Sequence, residues 1–211
     1  MNYRTIIFDC DGVVLNSNKI KTQAFYEVAI SYGQEPTREL IEYHLKNGGA
    51  SRYSKFEYLI TKILKKPLEM QEFDGLIKRF SGKVKQALHA CEVAEGLAEL
   101  KLRTPIANWL IVSGGDQNEL REVFKKRALE QFFDGGVFGS PDDKITIINQ
   151  QLYDGNISYP VLFIGDSQYD FISASKFNFD FIFLSDWSEV PIAAQWLIEN
   201  DIYVLPKISA I

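Results

Sequence analysis

Thr5-Ile6-Ile7-Phe8-Asp9-Cys10-Asp11-Gly12 begins as an apolar, largely β-branched run and stops at two acids. A short run of this kind, without polar alternation, fits a strand buried on both faces of a parallel sheet. Three later runs have the same form. They are Leu110-Ile111-Val112 ending at Ser113, Val161-Leu162-Phe163-Ile164 ending at Gly165, and Phe181-Ile182-Phe183-Leu184 ending at Ser185. Each closes on small or acidic polar residues, and most are followed by a helical pattern. This alternation predicts an α/β fold, a Rossmann-like open parallel sheet with helices on both faces. Ligands of such sheets bind at the carboxyl ends of the strands, so the residues just after the runs are the first candidates for a site.

A chain of 211 residues can bury one full core and a second small one. The interval between Asp9 and Trp109 is far longer than one crossover helix requires. Within it Phe56, Leu59, Ile60, Ile63 and Leu64 follow the i, i+3, i+4, i+7, i+8 spacing of a helix face. Phe73, Leu76, Ile77, Phe80, Val84 and Leu88 make a second stripe. Such stripes bury against one another. Residues 16–90 are therefore predicted to form a helical domain inserted into an α/β core made of residues 1–15 and 91–211. Both connections would emerge beside Asp9, which suits a lid.

Composition narrows the function classes. With 46% hydrophobic and 24% charged residues the chain reads as a globular protein. A net charge of -5 with scattered Lys and Arg gives no attraction for nucleic acid or an anionic membrane. Cys10 and Cys91 form neither a metal-ligand spacing nor a disulfide framework. The apolar run near Met1 is too short for an export signal or a membrane span, so a reducing cytoplasm is the expected setting.

Four segments carry candidate chemistry. Asp9 and Asp11 flank Cys10 at a strand end, and their mutual repulsion asks for a cation or a bound proton; the alternative is an acidic turn in which Gly12 supplies positive φ. Gly165-Asp166-Ser167-Gln168-Tyr169-Asp170 follows another strand, where Asp166 serves either the same cluster or as a helix cap. Gathered at adjacent strand ends, Asp9, Asp11, Asp166 and Asp170 would make an all-oxygen acidic site of the kind that suits magnesium. Ser113, followed by Gly114, Gly115 and a capping Asp116 with Glu119 three residues on, offers a hydroxyl and exposed amides to phosphate oxygens, or is a glycine turn. Lys144 follows Ser140, read as a cap, and Pro141, read as the first helical residue. A lysine in a first turn opposes the helix dipole by about 0.3–1 kcal/mol, so it either serves the acidic cluster and a phosphate or is simply exposed.

In this order the four segments resemble the haloacid dehalogenase superfamily of phosphotransferases across the whole sheet domain. Asp9 and Asp11 stand as its first motif, Ser113 as the second, Lys144 as the third, and Gly165-Asp166 with Asp170 as the fourth. The inserted segment is similar to that superfamily's helical C1 cap, as in phosphoglycolate phosphatases and β-phosphoglucomutases. The resemblance implies a magnesium-dependent phosphatase of a small phosphorylated metabolite. Asp9 would be the nucleophile that forms an aspartyl phosphate, and Asp11 the proton donor and later the base. Ser113, Gly114, Lys144 and the backbone at Gly12 would hold the phosphoryl group. Mg2+ would be held by Asp9, the carbonyl of Asp11 and Asp166, with Asp170 in support. Asp11 also argues against dehalogenation, which needs no proton donor there.

The loop Leu45-Lys46-Asn47-Gly48-Gly49-Ala50-Ser51-Arg52 resembles the specificity loop of C1 caps, with Arg52 placed to meet a carboxylate or second phosphate, or to sit at the surface of a helix start. The same loop keeps a β-phosphoglucomutase-like phosphosugar mutase as an alternative. Those enzymes carry a histidine where this chain has Lys21, which weakens that alternative; a non-catalytic phospho-ligand binder is the third. Sugar phosphates are the first substrate expectation and phosphoglycolate-like acids the next. His44, His89, Cys10 and the three tryptophans are expected to be structural.

Overall fold

The computed structural model describes residues 2–191 and 194–211. In chain order the strands are β1 (Thr5–Phe8), β2 (Asn108–Asp116), β3 (Gly136–Ser140), β4 (Val161–Gly165), β5 (Asp180–Leu184) and β6 (Tyr203–Leu205). They form one parallel sheet in the order β3-β2-β1-β4-β5-β6, which puts β1 in the middle. All four predicted strands are present. β3 and β6 were not expected, because one is framed by glycines and the other has only three residues, so neither shows a sustained apolar run.

The period of two along β1 divides its side chains between two cores. Ile6 and Phe8 join Trp109, Ile111, Leu162 and Ile164 on one face, while Ile7 joins Leu110, Val112 and Phe163 on the other. The first face is covered by α5 (Leu97–Arg103) and α6 (Gln117–Lys126), the second by α7 (Lys144–Tyr153) and α8 (Gln168–Lys176). A further helix, α9 (Ala194–Glu199), precedes β6.

Between β1 and α5 the chain is helical. This layer holds α1 (Asn18–Ala29), α2 (Gln34–Lys46), α3 (Arg52–Tyr58) and α4 (Met70–Ala90), with a π-helical stretch at Leu59–Ile63. The stripe from Phe56 to Leu64, read as one helix, is thus part α and part π. Phe25, Phe56 and Phe80 meet at its centre, with ring centroids 4.3–5.8 Å apart. Where the chain enters and leaves this layer its two crossings run side by side: Leu15 bridges Val93, and the Asn16 amide donates to the Glu92 carbonyl at 3.0 Å. No helix among the described residues is long and apolar enough to cross a membrane.

Phe56 has no exposed surface, and cutting it back leaves a cavity that its ring neighbours cannot fill. Phe56→Ala should lower unfolding free energy by about 3–5 kcal/mol in chemical denaturation. A loss under about 1 kcal/mol would contradict a packed aromatic centre in this layer.

Candidate active site

Parallel pairing in register fixes which residues meet. Phe8 lies opposite Ile111 on one side and Ile164 on the other, so the residues that follow β1, β4 and the apolar part of β2 open onto one place. The Asp9 amide still donates to the Ile164 carbonyl at 2.9 Å, which ties the start of the loop to β4. Asp9, Asp166 and Asp170 each bring a carboxylate oxygen to within 4.8 Å of the others, and all three are buried.

Lys144, at the start of α7, is buried among them. Its Nζ lies 2.9 Å from Asp9 Oδ1 and also pairs with Asp170 Oδ1. The helix is capped by Asp143, whose side chain accepts from the Thr146 amide at 2.7 Å. Ser140 does not cap it, contrary to expectation, because pairing with Asp116 keeps Ser140 in the sheet. Its hydroxyl instead donates to the carbonyls of Gly114 and Gly115. Burial alone would lower the pKa of Lys144, but Asp170 and Asp9 outweigh it and raise it, so the ammonium stays charged.

Asp170 is fully engaged. Its second oxygen accepts from the Ser167 hydroxyl at 2.6 Å and from the amides of Ser167 and Asp166. It is Ser167, not Asp166, that caps α8, in a reciprocal capping box with Asp170. Asp166 is thereby left facing the cluster, where Asn18 Nδ2 donates to it at 2.7 Å.

Three carboxylates around one ammonium leave negative charge in excess. Burial pushes Asp9 up to about 7; Lys144 opposes this, and Asp170 and Asp11 add to it. Burial, Asp9 and Asp170 likewise raise Asp166 well above the usual carboxylate range. Asp9 Oδ1, although beside Lys144, has no donor in hydrogen-bonding geometry. A buried set of oxygen donors with surplus negative charge fits a hard divalent cation such as Mg2+.

The Asp11 carboxylate stands apart from this acidic cluster. It accepts from Ser17 Oγ at 2.5 Å and pairs with Lys21. Burial would raise its pKa, but Lys21 and Ser17 together hold it below the ordinary value, so Asp11 is ionised here. Gly12 follows with φ +79°, and a β-carbon on it would fall 2.2 Å from Asp166 Oδ2 and 2.4 Å from Asn18 Nδ2. Only glycine allows that approach. Ser113 is buried one residue past the apolar run, and its Oγ accepts from the Gly115 amide at 3.0 Å. The strand continues beyond it to Asp116, which caps α6 by accepting from the Glu119 amide at 2.9 Å.

Glu119 does not complete a capping box. Its carboxylate takes both terminal nitrogens of Arg52, at 2.5 and 3.2 Å, and Arg52 also donates to Ser81 and lies over the Phe80 ring. Arg52, expected to meet a substrate anion or to be exposed, is therefore buried and already neutralised by a core helix. The turn Gly48-Gly49 presses onto the strand ends: a β-carbon on Gly114 would fall 2.2 Å from the Gly49 carbonyl oxygen. Tyr53 to Asp116, Thr22 to Glu189 and Asn18 to the Trp187 carbonyl add further ties of 2.7–2.9 Å between the helical layer and the sheet.

These contacts enclose a cavity whose floor includes Asp9, Asp11 and Asp166 and whose roof includes Lys21, Arg52 and Lys55. His44 lines it too, and Cys10 and Trp109 are core residues as expected. The sequence reading missed Asn18, Lys55, Glu119 and Glu189. Lys55 carried a signal: at i+3 from Arg52 and next to Phe56, it falls on the buried side of its helix.

Acid-lined strand ends beneath a helical layer place the chain among the α/β proteins that work at the carboxyl edge of an open parallel sheet. The haloacid dehalogenase-like hydrolase profile matches residues 6–184, and the chain belongs to that family. No curated protein sequence matches it. Among solved structures it is similar to a haloacid dehalogenase-like hydrolase from Streptococcus pneumoniae, at 18% identity and TM-score 0.67, covering 95% of this chain and 92% of that one. A protein described as a predicted phosphoglycolate phosphatase from Haemophilus somnus shares 15% identity, with TM-score 0.73 and coverage of 99% and 96%. A phosphonoacetaldehyde hydrolase-like protein from Oleispira antarctica shares 10%, with TM-score 0.75 and coverage of 99% and 90%. At these identities the likeness is one of fold.

The Arg52–Glu119 pair gives a stability test. Glu119→Ala leaves a buried guanidinium without its counterion and should cost about 3–5 kcal/mol in denaturant unfolding. Arg52→Met combined with Glu119→Leu should recover most of that loss, because no uncompensated charge remains.

Proposed function

We propose that the chain is a magnesium-dependent phosphatase of small phosphorylated metabolites, with residues 16–90 acting as a cap on a core of residues 1–15 and 91–211. The observation that carries this reading is the meeting of Asp9, Asp166 and Asp170 around Lys144 with negative charge left over.

In this reading the Asp9 carboxylate attacks phosphorus, the ester oxygen departs, and an aspartyl phosphate results; water then attacks that phosphate and restores Asp9. Asp11 protonates the leaving oxygen in the first half and takes a proton from water in the second. The Lys21 contact favours the ionised form that suits the second half. Proton donation requires a protonated Asp11, and therefore that Lys21 release it before the ester bond breaks. Ser113, Lys144 and the amides near Gly12 and Gly114 hold phosphoryl oxygens. Asp9, Asp166 and the Asp11 carbonyl would hold Mg2+, with Asp170 orienting the loop and Lys144. The bound ion supplies positive charge that lets an anionic carboxylate approach an anionic phosphate.

Hydrolysis is favoured over phosphosugar isomerisation because Lys21, standing where related mutases carry histidine, is bound to Asp11. A sugar 1-phosphate should yield free sugar and phosphate; accumulation of the 6-phosphate would reverse the choice.

Asp9→Asn should reduce magnesium-dependent release of phosphate from p-nitrophenyl phosphate to background, and unchanged turnover would refute the nucleophile assignment. Chelation with EDTA should stop the wild-type reaction, and added magnesium should restore it. Lys144→Met should lower kcat by about 10²–10³-fold through loss of charge stabilisation at the phosphoryl group.

A further inference from the structure

Lys55 lines the same cavity as Asp9 and is 3% exposed, yet it has no part in the chemistry described above. Of the three cations in the cavity roof, Lys21 is neutralised by Asp11 and Arg52 by Glu119. Lys55 forms no ion pair among the described residues. Its Nζ meets His44 Nδ1 at 2.8 Å.

The groups behind His44 fix how that contact works. The Thr22 hydroxyl donates to Glu189 at 2.7 Å, so its oxygen is left to accept from His44 Nε2, 2.9 Å away. His44 then carries its proton on Nε2 and accepts from Lys55 through Nδ1. Burial, reinforced by Lys55 and Lys21, lowers the His44 pKa well below its ordinary value and keeps the ring neutral. Glu189, the acidic group on this side of the cavity, is occupied by Thr22. One proton of the Lys55 ammonium is thus used and two are left without a partner among the described residues, against a wall that includes the Phe25 ring. A buried ammonium in that state is poorly compensated. Burial, then Lys21, pulls its pKa down to about 7, while Asp11 and Asp9 oppose the shift and Lys144 adds to it.

We propose that the substrate's leaving group carries a carboxylate that docks on Lys55, which makes the substrate a phosphorylated short-chain carboxylic acid and Lys55 its specificity-determining residue. The proposal rests on the phosphatase reading. A second phosphate would satisfy the same ammonium, but a carboxylate matches its single charge and its two free donors.

The test compares kcat/KM for 2-phosphoglycolate and 3-phosphoglycerate with that for 2-hydroxyethyl phosphate and glycerol 3-phosphate, in which CH2OH replaces the carboxylate. The wild-type protein should prefer at least one acid over its neutral partner by about tenfold or more, the range of a charge-assisted hydrogen bond. Lys55→Gln and Lys55→Met should bring that ratio to within about threefold of one, read on folded protein with an unchanged circular dichroism spectrum. No preference in the wild type, or a preference that survives in both variants, overturns the proposal. Fructose 1,6-bisphosphate turned over better than both acids also overturns it, in favour of a second phosphate. Because the wild-type ratio is decisive by itself, poor folding of a variant does not rescue the proposal. Turnover of p-nitrophenyl phosphate without acid preference defeats this inference alone, whereas no turnover of any phosphate ester defeats the phosphatase reading beneath it.

Discussion

Everything at the centre of this protein follows from burying more negative than positive charge at one place. Asp9, Asp166 and Asp170 are buried within 4.8 Å of one another, and Lys144 is the ammonium that pairs with two of them. At such distances and low dielectric the repulsion among carboxylates is large enough to drive protons or cations onto them. The chain meets this partly by spending Asp170 on Lys144 and on the amides of Asp166 and Ser167. What stays uncompensated is on Asp9 and Asp166, whose pKa values rise accordingly. A divalent cation at that place would relieve the repulsion.

The second constraint is the way the helical layer closes over that floor. Arg52 reaches across to Glu119, Asn18 to Asp166, Thr22 to Glu189 and Tyr53 to Asp116. Each tie joins a residue of the layer to a loop or helix start at the carboxyl edge of the sheet. Close approach of the Gly48-Gly49 turn to Gly114 completes the closure, and any larger side chain at Gly114 would force it open. The cations brought down by the layer are thereby sorted: those with carboxylate partners hold the layer in place, and Lys55, with only a neutral histidine, faces the enclosed space.

Much of the fold was legible because a buried strand leaves an unmistakable one-dimensional mark. The apolar runs at residues 5–8, 110–112, 161–164 and 181–184 each became strands, and the stripes around Phe56 and Phe80 became a buried aromatic centre. The edges β3 and β6 were not legible, since edge strands are short and need not be apolar throughout. Caps were read correctly where a side chain acts on its own helix, as at Asp116. One was misread at Ser140, which pairing in the sheet holds away from the helix.

The sequence by itself determined the order of the elements and the residue types at the strand ends, because local periodicity and the few residues that can end a buried strand are properties of short stretches. Asp9, with Ser113 and Asp166 at neighbouring strand ends and Lys144 opening a helix, was visible in that way. Only the tertiary structure decided which charges cancel. Lys21 cancels Asp11 and Arg52 cancels Glu119 across different elements while Lys55 meets a neutral His44, and Coulomb energy depends on distance in space, which spacing along the chain does not encode.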